Sequence, residues 1–573
     1  MASSDEHLMV AAIDFGNIYS GYAFSFRCDY EKDPLKISTN NLTAGSRGLK
    51  VSKTSTCILF EPNGDFHSFG FEAEDKYSDL TLDGEHEGWY YFHRFKMRLY
   101  ENKHLSRSFK IKDDQGHCMP VIKVFTAVIK YLKDHMLKVL ETQLEYFQQS
   151  DIQWVLTVPK ISSDSSKQLM REAAEEAGIR SDRVIIVLEP EAASLYCKHL
   201  QRTENDDTFN TGSKYLVLDA GPTIDITIHQ VQKDGSLMDI IEEAIGGNWG
   251  GDMVDHAFQH LLIEIIGIHA FHRLLQEDRY SMIEFFREFE AKMHTITPNP
   301  SSKVVILNVP VTVNDVCINE NDKDIATIVK SRFSFNGNVS IVRNKLKISG
   351  ERAKEFFSEP VNHIVTHLKK ILKEPNAGEV KAILMVGGFS GSLILQNEIK
   401  TNFPHLRVIV PPDPGLSVLK GAVLLGYAPR PVNSRFCRYT YGSGQAWTFN
   451  PEKYDSAMPF TTSTGKGKVD DLFDIHVVAG ECVDFRMPRI VRFYHPSEPD
   501  HTAIRFSLYS SIEKNPKYVT DPGCAMIGIF KITMPDTSKG LDRSVMVQMT
   551  FGNTELEVDA TDKDTMKKVT DFL

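Results

Sequence analysis

The sequence contains no long apolar run, and this absence limits where the chain can reside. A helix that crosses a bilayer needs about 18 or more mostly apolar residues, and no segment of the 573 residues meets that requirement. The first ten residues, MASSDEHLMV, are acidic and lack the apolar core of a secretory signal peptide. We therefore expect neither a membrane span nor secretion.

Paired cysteines are missing as well. The eight cysteines stand singly, with no CxxC spacing and no histidine cluster beside them. This usage fits buried thiols better than a disulfide framework or a zinc site. Single thiols of this kind are typical of a reducing compartment, and we expect a cytoplasmic protein.

Positive charge is scarce relative to negative charge, because 65 Lys and Arg stand against 76 Asp and Glu, a net charge of −11. Binding to a phosphate backbone needs a basic surface, so nucleic acid is not expected as the principal partner. The hydrophobic fraction of 42% is ordinary for a globular protein. The length suggests about three or four packing units.

Residues 8–427 alternate strand-like apolar runs with helical patterns, which predicts α/β layering. Residues 154–159 indicate a short strand, followed by a helix that Ser163 or Asp164 caps and Gly178 ends. Residues 361–372 carry the apolar stripe of a packed helix, and residues 382–386 indicate a buried strand.

A weak internal repeat is the most informative pattern in this region. Residues 10–21 read VAAIDFGNIYSG, and residues 216–225, about 205 positions later, read LVLDAGPTID. Each copy has an apolar strand, an aspartate at its end (Asp14 or Asp219), a Gly-containing turn and a returning strand. The repeat predicts a duplicated domain with one acid-tipped turn in each half.

The pattern changes after a Pro-containing polar stretch at residues 428–435, which predicts a linker. Beyond it, period-2 alternation at 504–508, 545–551 and 556–560, with a turn at 552–553, predicts an antiparallel sheet or sandwich over 436–573. The Met and aromatic residues of its strands are interpreted as core rather than a peptide site, and His476, His495 and His501 as core or surface residues. Residues 203–213 are polar enough for a surface loop.

Four Gly-containing turns are candidates for phosphate binding, at residues 14–21, 219–225, 246–252 and 387–391. A nucleoside triphosphate needs backbone N–H donors that approach its phosphates closely, and glycine permits that approach. It also needs carboxylates that hold Mg²⁺, usually through waters. Each turn alone is more typical of an ordinary strand–helix connection, whereas their order and contexts together favour a nucleotide site.

The order of these segments resembles the 70-kDa heat shock protein family. The segments are AIDFG (12–16), TVP (157–159), LEPEAAS (188–194), the turn 219–225, GGD (250–252) and VGG (386–388). Others resemble its divergent branch, heat shock 70 kDa protein 12 of the A and B types: SGYAFSF (20–26), FHSFG (66–70), FKM (95–97), MREAA (170–174) and LKGAV (419–423). The resemblance is strong over 8–427 and weak over 436–573, where LEVDATDK (556–563) resembles the closing strand of the substrate domain.

The resemblance implies a two-lobed, actin-like ATPase fold with duplicated α/β lobes over 8–427, then a β-sandwich-like domain over 436–573. It implies ATP or ADP with Mg²⁺ as ligand, and extended polypeptide clients or signalling proteins as partners. Asp14 and Asp219 would hold the Mg²⁺ waters, and Lys96 would reach the phosphates and position the attacking water, with Glu189 nearby. Further nucleotide-binding residues would be Gly16, Asn17, Ile18, Thr54, Gly221, Thr223, Gly250, Gly251, Lys292, Gly387, Gly388 and Asp413.

Each of these residues also has a plain structural interpretation. The two aspartates would cap turns, Lys96 would be a solvated helix lysine, and Glu189 would bond the backbone near Pro190. Asn17 and Thr54 would be ordinary polar turn residues.

The chain also departs from the family pattern. The family's second turn reads acid-x-Gly-Gly-Gly-Thr-x-Asp, whereas Pro222 here removes an N–H donor and fixes φ. We therefore expect weaker γ-phosphate binding or slower hydrolysis. The arginines that stack on adenine are replaced near Met293 and Gly391, at a cost of about 0.5–2 kcal/mol for each lost cation–π contact.

Three functions remain open. The first is a chaperone-like ATPase with slow hydrolysis and a role in stress and protein homeostasis; we expect no helical lid after its β-rich domain. The second is a nucleotide-sensing scaffold or signalling adaptor without significant turnover. A small-molecule or sugar kinase is disfavoured, because it leaves the β-rich domain and the chaperone-like connecting segments unexplained.

Overall fold

The structure is a computed structural model. It describes residues 7–40, 42–44, 49–101, 108–142, 147–200, 207–240, 245–299, 303–428, 432–448, 460–461, 467–484, 489–551 and 554–572. The predicted turn at 552–553, residues 429–431 of the predicted linker and residues 203–206 of the predicted loop lie outside these ranges. Two compact units are formed, the first by Met1–Ile161, Arg171–Ile228 and Ala244–Ala428, the second by Ser162–Met170, His229–Glu243 and Pro429–Leu573.

The α-helices are, in chain order, α1 Arg27–Tyr30, α2 Phe71–Leu82, α3 Arg98–Glu101, α4 Val121–Glu141, α5 Asp164–Glu176, α6 Glu189–Leu200, α7 Asp252–Ile266, α8 Ile268–Glu277, α9 Arg279–Met293, α10 Val311–Asn321, α11 Ile325–Ser331, α12 Gly350–Glu355, α13 Ser358–Ile371, α14 Leu393–Asn402 and α15 Ser417–Tyr427. None of these helices of the described chain is both long and apolar enough to cross a membrane.

The strands are, in chain order, β1 Met9–Phe15, β2 Tyr19–Phe26, β3 Ser38–Thr39, β4 Leu42–Ala44, β5 Leu49–Val51, β6 Thr54–Ser55, β7 Cys57–Phe60, β8 Phe66–Phe69, β9 Tyr90–His93, β10 Lys110–Lys112, β11 Cys118–Pro120, β12 Ile152–Val158, β13 Val184–Leu188, β14 Lys214–Ala220, β15 Ile224–Val231, β16 Leu237–Asp239, β17 Ile245–Gly247, β18 Val304–Asn308, β19 Val339–Val342, β20 Lys345–Ser349, β21 Val380–Val386, β22 Arg407–Ile409, β23 Val432–Phe436, β24 Thr440–Thr448, β25 Phe460–Thr461, β26 Gly467–Val477, β27 Cys482–Asp484, β28 Arg489–Tyr494, β29 Ala503–Ser511, β30 Cys524–Thr533, β31 Val545–Phe551, β32 Leu556–Asp562 and β33 Lys568–Phe572.

Several local predictions are confirmed. Strand β12 covers residues 154–158 of the strand predicted at 154–159 and ends before Pro159, and β21 covers the one at 382–386. Ser163 caps α5, since its Oγ accepts a hydrogen bond from the Ser166 N–H at 3.2 Å, and Gly178 follows that helix with φ +88°. The stripe at 361–372 lies on α13, where its apolar residues are buried.

The first unit is built on two main sheets. One has the order β13-β12-β1-β2-β3, with β6 paired to β2, and the other includes β22-β21-β14-β15, with β17 paired to β15. Every residue of β1 and β12 is buried. Parallel strands that are covered on both faces need such continuous apolar runs, which explains why these segments do not alternate.

The predicted repeat is confirmed at the level of strands. Asp14 of β1 lies opposite Gly21 of β2, and β1 also pairs in parallel with β12. Asp219 of β14 lies opposite Val386 of the parallel strand β21, and β14 is hydrogen-bonded to β15 on its other side. In both sheets, therefore, the aspartate-bearing strand has one parallel neighbour and a returning strand that follows its turn.

Helices α6 and α15 approach each other closely through glycine. A Cβ added at Gly421 of α15 would lie 1.8 Å from the carbonyl oxygen of Ala192 in α6, and one at Gly426 would lie 2.3 Å from Val10 of β1. These contacts hold α6 in place, and Glu189 is its first residue.

The second unit is rich in antiparallel strands. Its two larger sheets have the orders β25-β26-β24-β29-β30 and β28-β31-β32-β33. The predicted period-2 strands are confirmed, and apolar residues from both sheets form one buried cluster: Tyr441, Tyr494, Phe506, Leu508, Phe530, Ile532, Met534, Val545, Val547, Met549, Leu556, Val558 and Ala560. The interpretation of the Met and aromatic side chains as core is therefore confirmed for the members of this cluster, whereas Phe493 and Met526 are exposed.

Candidate functional site

A cavity of about 630 Å³ lies in the first unit, and both aspartate-tipped hairpins contribute to its wall. Thirteen of the residues predicted from the sequence line it: Asp14, Gly16, Asn17, Ile18, Lys96, Glu189, Asp219, Gly221, Thr223, Gly251, Gly387, Gly388 and Asp413. Ligand sites in proteins commonly occupy about 300–1,000 Å³, so the volume suits a nucleotide-sized molecule.

Asp14 is held by two partners at the end of β1. The Lys53 ammonium donates to its Oδ2 at 2.6 Å, and the Thr157 hydroxyl donates to its Oδ1 at 2.8 Å. Burial on its own would raise the pKa of Asp14, but the Lys53 and Lys96 ammonium groups outweigh it and lower that pKa. Asp14 is therefore an ionised carboxylate in a nearly dry wall.

Lys96 and Glu189 form a buried ion pair, with 2.7 Å between Lys96 Nζ and Glu189 Oε1. Burial works against the charge on Lys96, yet the Glu189 carboxylate outweighs it and raises the pKa of Lys96. Lys96 is only 2% exposed, so it is not a solvated helix lysine. Glu189 bonds this ammonium rather than only the backbone near Pro190.

Asp219 has a different environment from Asp14. Burial, together with the nearby Glu189, Asp225 and Asp14 carboxylates, raises the pKa of Asp219 well above its usual value. Gly387, with φ +83°, passes so close that a Cβ there would lie 2.4 Å from Asp219 Oδ1. The pKa values of the two aspartates at equivalent positions of the repeat are therefore shifted in opposite directions.

The glycine turns support one another. The Gly221 N–H donates to the Thr223 carbonyl at 3.0 Å, and the Gly251 N–H donates to the Gly221 carbonyl at 2.9 Å. A Cβ at Gly250 would lie 2.3 Å from that same carbonyl oxygen. These glycines permit close packing of two turns, and two of the expected N–H donors are already bonded within the protein.

Three predicted residues lie outside the cavity wall: Thr54, Gly250 and Lys292. Thr54 is buried behind the wall, where its Oγ1 accepts a hydrogen bond from the Phe71 N–H at 3.1 Å. Lys292 is exposed near the end of α9, while its neighbour Met293 lines the cavity. Met293 and Gly391, which stand near the positions of the family's stacking arginines, both contribute to the wall.

Several wall residues have no distinguishing pattern in the sequence. Lys53 directly precedes Thr54, but a single lysine before a predicted turn residue carries no distinguishing pattern. The Tyr19 hydroxyl donates to Glu290 at 2.9 Å, and both residues line the cavity. Asp255 also lines it, and burial raises its pKa to about 7 although Arg94 opposes this effect. These contacts join segments that are far apart in sequence.

The described residues contain no cluster of three or more His, Cys, Asp or Glu side chains suited to a metal ion. All eight cysteines lie in the described ranges as free thiols; Cys57, Cys197, Cys317 and Cys437 are buried, whereas Cys28, Cys118 and Cys482 are exposed.

The comparisons with known proteins agree with this architecture. No family model matches the chain. It is 31% identical to Heat shock 70 kDa protein 12B of Homo sapiens, and the match covers 98% of this chain and 90% of that protein. The chain belongs to the 70-kDa heat shock protein family. Within that family it is also 30% identical to Heat shock 70 kDa protein 12A of Mus musculus, over 98% of this chain and 90% of the relative.

Heat shock 70 kDa protein 12A of Homo sapiens is 29% identical over 99% of this chain and 92% of its own length. The predicted membership of the protein 12 branch is thereby confirmed, and the mixed α/β structure with several sheets is consistent with the family fold. The matches extend through the β-rich second unit, so the likeness is not restricted to the segments that surround the cavity.

Proposed function

We propose that this family member binds ATP or ADP in the cavity of its first unit. The observation that carries the proposal is the position of Asp14 and Asp219, at equivalent places of a repeat, in the wall of one cavity. Two ammonium groups, Lys53 and Lys96, line the same wall and would neutralise a polyphosphate. Membership of the 70-kDa heat shock family supports nucleotide binding in general.

We further propose a two-lobed, actin-like layout for residues 8–427, a linker at 428–435 and a β-sandwich-like domain at 436–573. The two similar sheets of the first unit support the lobes, and the apolar cluster shared by two sheets of the second unit supports the sandwich. Free thiols at all eight cysteines support a reducing compartment such as the cytoplasm.

Asp14 and Asp219 would hold Mg²⁺ through waters, and the ion would supply positive charge beside the phosphates. At Asp14 the ion would compete with Lys53 and Thr157, which already donate to both carboxylate oxygens. Asn17 supports this assignment, because its Oδ1 is buried in the wall and finds no hydrogen-bond partner within the described residues. An acceptor of this kind would bond a metal-bound water.

The remaining wall residues would position the nucleotide. The turn at Gly16, Asn17 and Ile18 would face the phosphates from the first hairpin, and Gly221 with Thr223 from the second. Gly388 would admit the ligand closely, since a Cβ there would meet no atom within 4 Å. Gly251, Gly387 and Asp413 would complete the wall, whereas Thr54, Gly250 and Lys292 would act from behind or beside it.

Hydrolysis would be slow. Lys96 would orient the attacking water beside the terminal phosphate, and Glu189 would hold Lys96 in place. The second turn is poor in donors, because Pro222 has no N–H and the Gly221 N–H is bonded to Thr223. Fewer donors to the terminal phosphate mean less stabilisation of the charge that develops during transfer.

The test is calorimetric titration of the full chain with ATP and with ADP in the presence of Mg²⁺, followed by turnover on the same sample. We expect saturable binding that Asp14→Asn and Lys96→Ala weaken at least tenfold, and slow single-turnover hydrolysis that both variants abolish. A wild-type chain that shows no binding heat at millimolar nucleotide would contradict the proposal.

The second unit would bind extended polypeptide, through backbone hydrogen bonds to strands and small apolar pockets, which makes the whole molecule chaperone-like. A second candidate, a nucleotide-sensing scaffold or signalling adaptor, is favoured by the same donor-poor turn at Pro222. Single-turnover measurements distinguish the two candidates. If the wild type hydrolyses bound ATP no faster than Lys96→Ala does, the scaffold function is supported.

A further inference from the structure

Lys53 has an unusual position in the cavity wall. Its ammonium donates to Asp14 Oδ2 at 2.6 Å and to the Gly415 carbonyl oxygen at 2.9 Å. The side chains of Lys53 and Asp14 are 19% and 7% exposed, so the pair is little screened by water. The other Asp14 oxygen accepts from Thr157, and both carboxylate oxygens are therefore occupied by protein donors.

This arrangement matters for any metal near Asp14. A Mg²⁺ ion bound there would lie beside an ammonium that already contacts the same carboxylate, and the two cations would repel each other. An ammonium has three N–H donors, and the two contacts above use two of them. Lys53 can therefore stay on Asp14 and also donate to an incoming phosphate oxygen.

The second lysine of the wall adds to this charge. Lys96 is buried against Glu189, and its ammonium also interacts with Asp14 through space. Two fixed ammonium groups thus face the region in which the triphosphate would sit, each with a carboxylate that keeps it in place. Neither depends on a metal for its position.

We propose that Lys53 supplies at Asp14 the positive charge that a metal-dependent site takes from Mg²⁺, so that this cavity binds a nucleoside triphosphate with little dependence on Mg²⁺. The inference rests on the proposed nucleotide function of the same cavity. It assigns Lys53 as a ligand-binding residue that competes with the metal for one carboxylate, a role that no sequence pattern indicated.

The wild-type chain provides the first test. Calorimetric titration with ATP is performed in excess MgCl₂ and again in EDTA. We expect the dissociation constant in EDTA to exceed that in Mg²⁺ by less than tenfold, and a ratio of tenfold or more overturns the inference. Absence of binding in both buffers refutes the proposed nucleotide function itself, so the two failures are distinguishable.

The second test removes the ammonium. In Lys53→Met we expect weak binding in EDTA and retained binding in Mg²⁺, so that the ratio rises at least tenfold above that of the wild type. A ratio equal to the wild-type ratio overturns the inference. Lys36→Met is the matched control, since Lys36 also pairs with an aspartate, Asp29, at 2.6 Å but on the exposed surface; its ratio should stay at the wild-type value.

Lys53→Arg covers the case in which Lys53→Met does not fold, as judged by circular dichroism. Arginine keeps the charge beside Asp14, so its ratio should remain below tenfold. A tenfold or larger ratio in a folded Lys53→Arg variant overturns the inference, because the charge would then be present without its effect.

Discussion

Buried ionised side chains define the cavity of the first unit at the residue scale. Lys96 and Asp14 are buried, and each contacts an oppositely charged group within 3 Å. Taking an ion out of water is costly unless a partner compensates it, so such pairs are sensitive to loss of one member. The same pairs would act on the phosphates of a bound nucleotide, and their stability effects can be measured without any ligand.

The first prediction concerns Lys96 and Glu189. Lys96→Met should lower the free energy of unfolding by about 3–5 kcal/mol at neutral pH, because it leaves Glu189 buried without its cation. The matched double variant, Lys96→Met with Glu189→Gln, should recover most of that loss. Urea unfolding of the three proteins gives the comparison, and a double variant no more stable than the single one would contradict the argument.

The second prediction concerns His476 in the second unit. Its Nε2 lies 3.2 Å from the Tyr494 hydroxyl, and burial lowers its pKa from 6.5 to about 4, an effect that Asp474 opposes and Arg492 reinforces. As the pH falls, His476 is therefore protonated near pH 6.5 in the unfolded chain but only near pH 4 in the folded chain. Stability is full above pH 6.5 and should fall by about 3 kcal/mol as the pH drops to 4.

The pH dependence can be assigned by substitution. Urea unfolding at several pH values gives the free energy of unfolding of the second unit as a function of pH. Between pH 6.5 and 4 this free energy should fall with pH in the wild type, and His476→Gln should remove that slope. His501→Gln is the control at an exposed position of the same unit and should keep the slope. An unchanged slope in His476→Gln would show that another group is responsible.

At the element scale, the close contact between helices α15 and α6 is a test of packing. The third prediction concerns the contact between helices α15 and α6. Gly421→Ala would place a methyl group 1.8 Å from the Ala192 carbonyl oxygen, so the two helices must move apart. We expect a loss of about 3 kcal/mol or more and weaker nucleotide binding, because α6 carries Glu189. Thermal unfolding and calorimetry check both effects.

Gly388→Ala is a matched control for stability, since an added methyl there meets no atom within 4 Å. It should unfold within about 1 kcal/mol of the wild type. Comparable losses in both variants would mean that glycine flexibility, rather than the helix contact, sets the cost.

Communication between nucleotide and polypeptide belongs to the scale of the whole molecule. The polar stretch at residues 428–435 lacks the acidic-leucine segment through which the resembled chaperones couple their domains. We expect ATP to change the release rate of a fluorescent peptide by less than tenfold, a coupling below about 1.4 kcal/mol. A larger change in a peptide-release assay, with Asp14→Asn as the nucleotide-free control, would contradict this expectation.

Much of the element order was accessible from local pattern. Strands β12 and β21 are continuous apolar runs, α13 carries a 3.6-residue stripe, and β29 alternates with period 2. Each pattern depends on a few neighbouring residues and on which faces they bury. The repeat of the two aspartate-tipped hairpins was visible for the same reason, because both copies are short and continuous in the chain.

The wall of the cavity shows where local pattern was insufficient. Lys53 contacts both Asp14 and Gly415, although 362 positions separate it from Gly415, and nothing around Lys53 in the sequence marks it. Likewise, Asp14 and Asp219 look equivalent in sequence, but two lysines lower the pKa of Asp14, whereas burial and neighbouring carboxylates raise the pKa of Asp219. Charge and hydrogen bonding act through space between distant segments, so these properties arise only once the strands and helices are assembled.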